Sequence, residues 1–482
     1  MAGKSYKKNI IYNSVYRCVV VIMPLITSPY LTRVLGAEKL GIYSSANAFA
    51  TYFVIFTLLG VNDYGNRTIA QVRGDRDKLS DHFWQIYYLQ FFLTFLLLAV
   101  YLISISIHRK HFNIQLILAI YVLSSVFEIN WFAFGLEEFK LTSIRSILTR
   151  IGIVICIFLF VRKPSDLWKY TLIITVGNLI SLIIILPLIV RYTDFRKPDF
   201  RKIASHIRPN IILFLPIIAT SVYQYLSKIM LDSWSTEAEV GFYQNAENIV
   251  TLPSFITTAI ETVLMPYASN LVAEGNDDEQ LFRSTVKYTS IMSIAMAFGM
   301  FAIAGDFIPW YLGGGFERSA VLVMMMAPIV FFNSFSTVMR YQYIIPHEMD
   351  RANLIAMFSG AGADIVLNFI LIPRFGAAGA AAATVASYFV TLLIQAFVIS
   401  RRMEFFSAVR SFFPSVFFGI LMVFCVRFIS GISVNIILKI GLELLIGAVV
   451  FLTCTVVWLA MTGDPVLTKL FHDLIEKAQR VI

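Results

Sequence analysis

The sequence has few charged residues, few cysteines and few histidines. Asp, Glu, Lys and Arg make up only 14% of its 482 residues, whereas 58% are hydrophobic and the mean hydropathy is +0.75. So little charge excludes a soluble globular protein, in which about 25% of residues are charged. Apolar windows of about 18 or more residues recur from end to end. They predict a polytopic helical membrane protein with no separate soluble domain.

The four cysteines, Cys18, Cys156, Cys425 and Cys454, lie singly in apolar runs, and the six histidines form no cluster. No pair has the spacing of metal ligands, so we interpret the cysteines as small packing residues. The sequence also has no nucleophile–base set, no Walker loop and no redox motif, which favours a transporter over an enzyme. The net charge of +9 is explained by basic cytoplasmic loops, because no soluble basic module is present to bind nucleic acid.

The apolar runs predict about 14 membrane spans, each near the ~20 residues that a bilayer requires. They lie approximately at 10–34, 41–63, 83–107, 113–136, 142–162, 169–191, 210–234, 241–266, 285–310, 318–343, 352–373, 376–399, 411–430 and 436–461. If the N-terminus is cytoplasmic, most Lys and Arg residues of the loops fall on the inner side. Both termini are then predicted to be cytoplasmic. The first run lacks a small-residue cleavage site and is read as a retained span.

Residues 40–47 (LGIYSSAN) and 240–247 (VGFYQNAE) form a short repeat, in which Gly, Tyr and Ala recur at the same offsets. Each copy lies in a polar gap between two apolar runs, as a hinge between two spans would. About six spans separate the copies, so the repeat is parallel, with its axis along the membrane normal. We predict two pseudo-symmetric six-helix lobes and then two extra spans with an interfacial tail. Their boundaries are 1–205, 206–405 and 406–482.

Several cations lie within the predicted spans, although a charge at mid-bilayer costs about 2.5–3.5 kcal/mol on insertion scales. Arg17 on span one and Lys228 on span seven occupy equivalent spans of the two lobes. Arg145, Arg150 and Arg340 lie nearer the inner surface. Together they predict a cationic central cavity that opens to the cytoplasm and suits a phosphate-bearing substrate. Snorkelling to the interface is the alternative, above all for Arg145 and Arg340.

Other polar residues of the spans are weaker candidates. Tyr223 on span seven is placed to donate a hydrogen bond to a sugar, although an aromatic residue there also suits packing. Asn47 and Glu247, the last residues of the two repeat copies, are further candidates to line the cavity. Lys439 and Glu443 are four residues apart on span fourteen and are expected to neutralise each other.

Acidic and amide groups form a second candidate site. Asp364 and Asn368 are four residues apart on span eleven and therefore share one helix face. Thr384 on span twelve lies at a comparable depth, and Asp232 on span seven is able to approach from the same lobe. Oxygen ligands of this kind suit Na⁺ or a proton. The alternatives are a helix-to-helix hydrogen-bond network and pairing of Asp232 with Lys228.

Residues 29–43 (PYLTRVLGAEKLGIY) closely resemble the opening signature of polysaccharide-exporting flippases of the Wzx type. Four shorter stretches resemble the same family in the same order. They are GNR at 65–67, NWFAFGLE at 130–137, VGFYQNA at 240–246 and LNFILIPRFG at 367–376. The superfamily of these flippases also contains multidrug exporters and lipid II flippases.

The resemblance implies two six-helix lobes in a V that open alternately to each side of a bacterial cytoplasmic membrane. It implies that the substrate is an oligosaccharide linked by pyrophosphate to undecaprenol, moved from the inner to the outer leaflet for a capsule or O-antigen. A monomer among membrane lipids, working beside a polysaccharide polymerase, is expected. A cation-coupled multidrug exporter, which needs an anionic cavity, and a lipid II flippase are the alternatives.

The resemblance also bears on coupling to an ion. Lipid II flippases carry a cation site on the equivalents of spans seven, eleven and twelve, with an Asp and an Asn four residues apart on span eleven. Here Asp364 precedes Asn368, which reverses the order of that pattern. No cofactor is expected, and the choice between Na⁺ and H⁺ as coupling ion is open.

Overall fold

A computed structural model describes residues 2–274, 279–431, 435–464 and 468. In residues 2–18, 20, 21, 258, 259, 261–263 and 430 the description includes the backbone and not the side chain. The described residues form twenty α-helices, two 3-10 turns and two π turns, and no strand.

The first ten helices are α1 (Ala2–Leu58), α2 (Val61–Val72), α3 (Arg76–His108), α4 (Phe112–Ser124), α5 (Asn130–Gly135), α6 (Phe139–Phe160), α7 (Leu167–Ile183), α8 (Pro187–Tyr192), α9 (Phe200–Ser205) and α10 (Ile207–Ser221). The other ten are α11 (Ser227–Trp234), α12 (Glu237–Ala273), α13 (Glu279–Leu312), α14 (Glu317–Met326), α15 (Pro328–Val338), α16 (Asp350–Phe375), α17 (Ala377–Ser400), α18 (Phe405–Arg410), α19 (Pro414–Ser430) and α20 (Ile436–Met461). The 3-10 turns are Ser125–Phe127 and Pro164–Asp166, and the π turns are Val222–Leu226 and Met339–Ile344.

Twelve helical segments of the described chain are long and apolar enough to cross a membrane. One of them, Ile22–Val72, overlaps the first predicted span from residue 22 onward and contains the whole of the second. The eighth predicted span coincides with α12, which is not among the twelve. Thirteen of the 14 predicted spans therefore correspond to the twelve segments, because one segment corresponds to two spans, and the remaining span corresponds to α12. They confirm an all-α polytopic membrane protein.

Local sequence explains where the first helices break. Gly36, at φ 76° and ψ 171°, interrupts α1 between the first two predicted spans, in a backbone region that favours glycine. Asp75 begins α3 because its side chain accepts hydrogen bonds from the backbone N–H groups of Asp77 and Lys78. These bonds, that of Lys78 above all, hold the pKa of Asp75 below its usual range. Arg109, at φ 51°, ends the same helix.

The chain packs into two compact units. The first unit is Met1–Asn245 with Ala361–Ala383, and the second is Ala246–Gly360 with Thr384–Ile482. Each unit combines two separate stretches of the chain, whereas each predicted lobe is one continuous stretch. The boundaries of the lobes therefore stay a prediction. The predicted interfacial tail, which begins at residue 464, lies almost entirely outside the described residues.

Each unit has its own core of aromatic and aliphatic side chains. In the first unit Phe83 stacks on Trp131, and Ile69 packs beside them, so that α2, α3 and α5 are held together. Because Trp131 follows directly, this core also positions Asn130 at the start of α5. The core of the second unit is built around Phe335 and its neighbours on α13, α18, α19 and α20.

Candidate functional site

Arg145 on α6 joins three helical segments of the first unit. Its Nη1 donates a hydrogen bond of 2.7 Å to the carbonyl oxygen of Ser181 on α7. Its Nη2 donates one of 2.8 Å to Oδ1 of Asn130 at the start of α5. The side chain is only 5% exposed, so the guanidinium lies among protein groups.

The end of α7 explains why a carbonyl oxygen is available to Arg145. The backbone N–H of Ile185 donates to the carbonyl oxygen of Leu182, one residue short of the helical position. Pro187 begins α8 two residues later. The carbonyl oxygen of Ser181 is therefore left to accept a bond from a side chain.

A cavity of about 310 Å³ opens beside Arg145 and is lined mostly by polar residues of α5, α6 and α7. Arg150, one and a half turns along α6, is half-buried in its wall and has no hydrogen-bond or ion-pair partner among the described residues. Glu128 also lines the cavity, and its Oε1 accepts a 2.9 Å bond from the backbone N–H of Asn130. We call this cavity the Arg145–Arg150 pocket. Its volume is at the lower end of the range for small-molecule sites, about 300–1,000 Å³.

The pocket brings together two of the predicted cavity residues. A planar guanidinium matches the oxygen atoms of a phosphate or carboxylate through two parallel bonds. Arg145 is already engaged with Asn130 and Ser181, whereas Arg150 is available to a ligand. The pocket is therefore suited to an anionic group, with Arg150 as the contact and Arg145 as a fixed charge behind it.

Three other predicted cavity residues also lie in the first unit. Lys228 on α11 is 6% exposed, and its Nζ lies 5.5 Å from the ring centroid of Tyr225, within cation–π range. Tyr223 is half-buried in the π turn that precedes α11, a kind of turn that is frequent at functional sites. Asn47 is half-buried on α1 and accepts a bond from Thr51 through its carbonyl oxygen.

The remaining predicted cavity residues lie elsewhere. Arg340, in the second π turn, and Glu247, on α12, belong to the second unit and are half-buried. The guanidinium of Arg340 lies 4.6 Å from the ring centroid of Tyr341. The side chain of Arg17 lies outside the described residues. A single cavity formed by all eight candidates stays a prediction.

Asp364 and Asn368 on α16 meet Ser227 of α11 in the interior of the first unit. Nδ2 of Asn368 donates to Oδ2 of Asp364 at 2.8 Å and to Oγ of Ser227 at 3.0 Å. All three residues are fully buried. Oδ1 of Asn368 receives no hydrogen bond in the described part of the chain, which leaves one amide oxygen for a cation. Thr384, another of the four predicted ligands, is buried in the second unit.

Asp232 forms a different cluster, between the α3–α4 connection and α11. Its Oδ2 lies 3.0 Å from Nζ of Lys110, and its Oδ1 lies 3.3 Å from Nε2 of His111. Glu237 approaches the same imidazole at 3.9 Å. The three ligand-type atoms of His111, Asp232 and Glu237 lie within 4.8 Å of one another. Because Lys110 already neutralises Asp232, we interpret the cluster as an ion-pair network.

Residues 6–272, more than half of the chain, match the model of a family described as "Polysaccharide biosynthesis protein". The chain belongs to this family. The matched range includes four of the five stretches that resemble Wzx-type flippases, all except residues 367–376. Membership of the polysaccharide biosynthesis family therefore confirms the predicted resemblance.

Relatives in this family and solved structures extend over most of the chain. A proposed O-antigen transporter of Escherichia coli (strain K12) is 25% identical over 407 residues, which cover 83% of this chain and 98% of that protein. The structure titled lipid II flippase MurJ, in an inward closed conformation, has a TM-score of 0.76 at 14% identity and covers 94% of this chain and 100% of its own. An inward-facing multidrug resistance MATE transporter of the MOP superfamily has a TM-score of 0.60 at 14% identity, with 81% and 99% covered. At these identities the two structures establish the fold alone.

In this family member the two copies of the internal repeat pack against each other. The contact joins α1 and the start of α12 within the first unit. A Cβ at Gly41 would lie 1.7 Å from the carbonyl oxygen of Glu237. A Cβ at Gly241 would lie 2.0 Å from the carbonyl oxygen of Ala37. The glycines predicted to act as hinges are therefore the points at which two backbones touch.

Sequence reasoning missed the partners that hold the candidate residues in place. Asn130 is a polar residue of span four and part of a family motif, but the sequence assigns it no role, and it assigns none to Ser181 or Ser227. Serine and asparagine are common in membrane helices, and their partners here are 15 to 141 residues away in sequence.

Proposed function

We propose that this chain is a flippase that moves an oligosaccharide, linked by pyrophosphate to a polyprenol such as undecaprenol, from the inner to the outer leaflet. The name of its Escherichia coli relative and the fold shared with a lipid II flippase support this proposal. The observation that carries it is the Arg145–Arg150 pocket. A half-buried arginine that has no partner among the described residues and lines a polar cavity of a helical membrane protein suits an anionic ligand.

The chemistry of the substrate explains the need for such a pocket. An ionised pyrophosphate loses on the order of tens of kcal/mol of solvation in hydrocarbon, so it cannot cross the bilayer unaided. Arg150 and Arg145 hold the pyrophosphate, and polar side chains such as Tyr223 and Asn47 contact the sugars. The polyprenol stays in the lipid. An inside-negative potential favours outward movement of the anionic head by about 2.3 kcal/mol per charge per 100 mV.

The direct test is a flipping assay with the purified chain in proteoliposomes. A polyprenyl-pyrophosphate-linked fluorescent oligosaccharide is placed in both leaflets, and a glycosidase added outside cleaves the accessible molecules. The expected result is that cleavage goes beyond the outer-leaflet fraction only when the protein is present. If cleavage stops at that fraction with intact protein, the chain is not a flippase for this class of substrate.

The same vesicles separate the alternatives. A multidrug exporter would move a lipophilic organic cation and ignore the glycolipid. A lipid II flippase would prefer lipid II over other linked sugars. The two arginines of the pocket favour an anionic head over a cationic drug. Transport of the cation alone would overturn this choice.

We also propose that transport is coupled to Na⁺ or H⁺ at Asp364 and Asn368, because the buried Oδ1 of Asn368 receives no hydrogen bond from any described residue. Asp364→Ala is expected to remove any dependence of the flipping rate on Na⁺ or pH, since it removes the only carboxylate of the Ser227–Asp364–Asn368 cluster. Initial flipping rates across a series of Na⁺ concentrations and pH values measure this. Asp232→Ala is the control, because that carboxylate pairs with Lys110 and His111 instead. A wild-type rate that is indifferent to both ions would eliminate the coupling site.

The proposed setting follows from the proposed substrate. We place the chain in a bacterial cytoplasmic membrane with both termini inside, where lipid-linked sugars are assembled. A polymerase that consumes the flipped unit is the expected neighbour. The process needs no covalent step, so we propose transport and not catalysis.

A further inference from the structure

A group of charged residues lies in the second unit, outside the sites described above. Nζ of Lys439 on α20 lies 2.8 Å from Oδ2 of Asp306 on α13. Glu443, one turn further along α20, is therefore not neutralised by Lys439 in the way its spacing suggests. Glu443 lies on the same face of α20 as Lys439, whose partner is Asp306, and this places its carboxyl group beside that of Asp306. Arg427 on α19 is the remaining charged group near Glu443.

The surroundings of Glu443 are almost entirely apolar. Its side chain is 1% exposed, and neither Oε1 nor Oε2 receives a hydrogen bond from any described residue. It lines a cavity of about 530 Å³ between α12, α13, α19 and α20. Every other residue that lines this cavity is uncharged, and nearly all are aliphatic, aromatic or methionine side chains. An ionised carboxylate in such a place has no donor to replace the water that it lost.

Asp306 and Glu443 differ in which group balances the negative charge of the carboxylate. Asp306 has an ammonium partner at salt-bridge distance, so its negative charge is balanced. Glu443 has no ammonium or guanidinium group at salt-bridge distance among the described residues, and a second carboxyl group lies beside it. Two adjacent carboxylates cannot both ionise cheaply. A single proton removes this repulsion. When the proton is on Glu443, the O–H group of Glu443 donates to Asp306, and Asp306 remains paired with Lys439.

We propose that Asp306 and Glu443 form a proton-binding site, with the proton on Glu443 and Lys439 fixing the ionised Asp306. The two residues lie about 9 to 11 Å from the ends of their helices, on the side predicted to be outer. An ionisable residue at such a depth in a membrane protein is a functional candidate. The site is distinct from the Ser227–Asp364–Asn368 cluster, and it does not depend on the identity of the substrate.

Infrared difference spectroscopy of the full-length chain in lipid nanodiscs tests the site directly. Spectra recorded between about pH 5 and pH 9 report the C=O stretch of protonated carboxyl groups as they lose their protons. We expect a band in the wild type that is lost in Glu443→Gln and shifted in Asp306→Asn. Glu443→Asp is expected to keep the band with an altered titration. Asp464→Asn is the matched control, because it removes another buried carboxyl group of the second unit, one that already pairs with Lys287.

Each outcome decides the proposal. Spectra of Glu443→Gln that match the wild type, or a band lost in Asp464→Asn instead, would overturn it. Folding of each variant is checked by size-exclusion chromatography and circular dichroism before measurement. If Glu443→Gln does not fold, the decision moves to Glu443→Asp and Lys439→Met, either of which must alter the titration of the band. Because the measurement contains no substrate, failure of the proton site and failure of the flippase assay are separate results.

Discussion

Alanine in place of Gly241 is expected to stop transport, and alanine in place of Gly41 is expected to do the same. At each position the new Cβ would lie within 2.0 Å of a backbone carbonyl oxygen. A main-chain oxygen cannot rotate away as a side chain can, so α1 and α12 must separate by more than about 1 Å to restore ordinary contact. Overpacking of this kind costs about 1–3 kcal/mol or more, which corresponds to a fall of at least about fivefold, and up to about 150-fold, in the population of molecules that keep this contact.

The flipping rate measures the loss of transport. The reactivity of a thiol placed beside the glycines measures the separation of α1 from α12 that causes this loss. Oγ of Ser44 donates a 2.7 Å bond to Oε1 of Gln244 across the same contact, and Ser44 is 5% exposed. In a chain without its own cysteines, Ser44→Cys should react with a soluble maleimide faster when Gly241→Ala is also present. The control is Gly441→Ala on α20, where a Cβ meets no atom within 4 Å. Normal flipping together with an unreactive thiol in Gly241→Ala would show that the close contact is dispensable.

The membrane spans, and the break within α1 between the first two of them, were predictable because both depend on local sequence. A run of apolar residues is sufficient to define a membrane helix, and Gly36 is sufficient to interrupt one. The contact between the repeat copies was not predictable, since a hinge and a point of close approach both favour glycine. Only the folded chain separates the two roles.

The pairing of charges was the least predictable part of the candidate sites. Spacing along one helix suggested that Lys439 and Glu443 pair, and proximity suggested that Asp232 pairs with Lys228. In the structure Lys439 pairs with Asp306, and Asp232 pairs with Lys110 and His111. In both cases the observed partner comes from another segment of the chain and not from the next turn of the same helix. Such partners leave no periodic signal in the sequence.

Alanine substitutions of the two arginines of the Arg145–Arg150 pocket are expected to reduce transport for different reasons. Arg145→Ala removes the donor to both Asn130 and Ser181, and each buried acceptor left unpaired costs about 1–3 kcal/mol. We therefore expect a lower melting temperature and a loss of transport that follows from it. Arg150→Ala removes no bond among the described residues, so the melting temperature should stay near that of the wild type. Its flipping rate should fall about 100-fold, since a charged hydrogen-bond partner of the phosphate is worth roughly 1.5–3 kcal/mol.

This difference separates a substrate contact from a structural role. Arg150→Lys keeps the charge and loses the bidentate fork, so partial activity that rises with substrate concentration is expected. Arg162→Ala is the matched control, because Arg162 directly follows α6 and is exposed. Wild-type flipping in Arg150→Ala, with Arg145→Ala merely unstable, would make the pocket a structural feature of the first unit. A rate lost in Arg150→Ala and partly restored in Arg150→Lys requires an anion at that guanidinium, since no described residue there provides one.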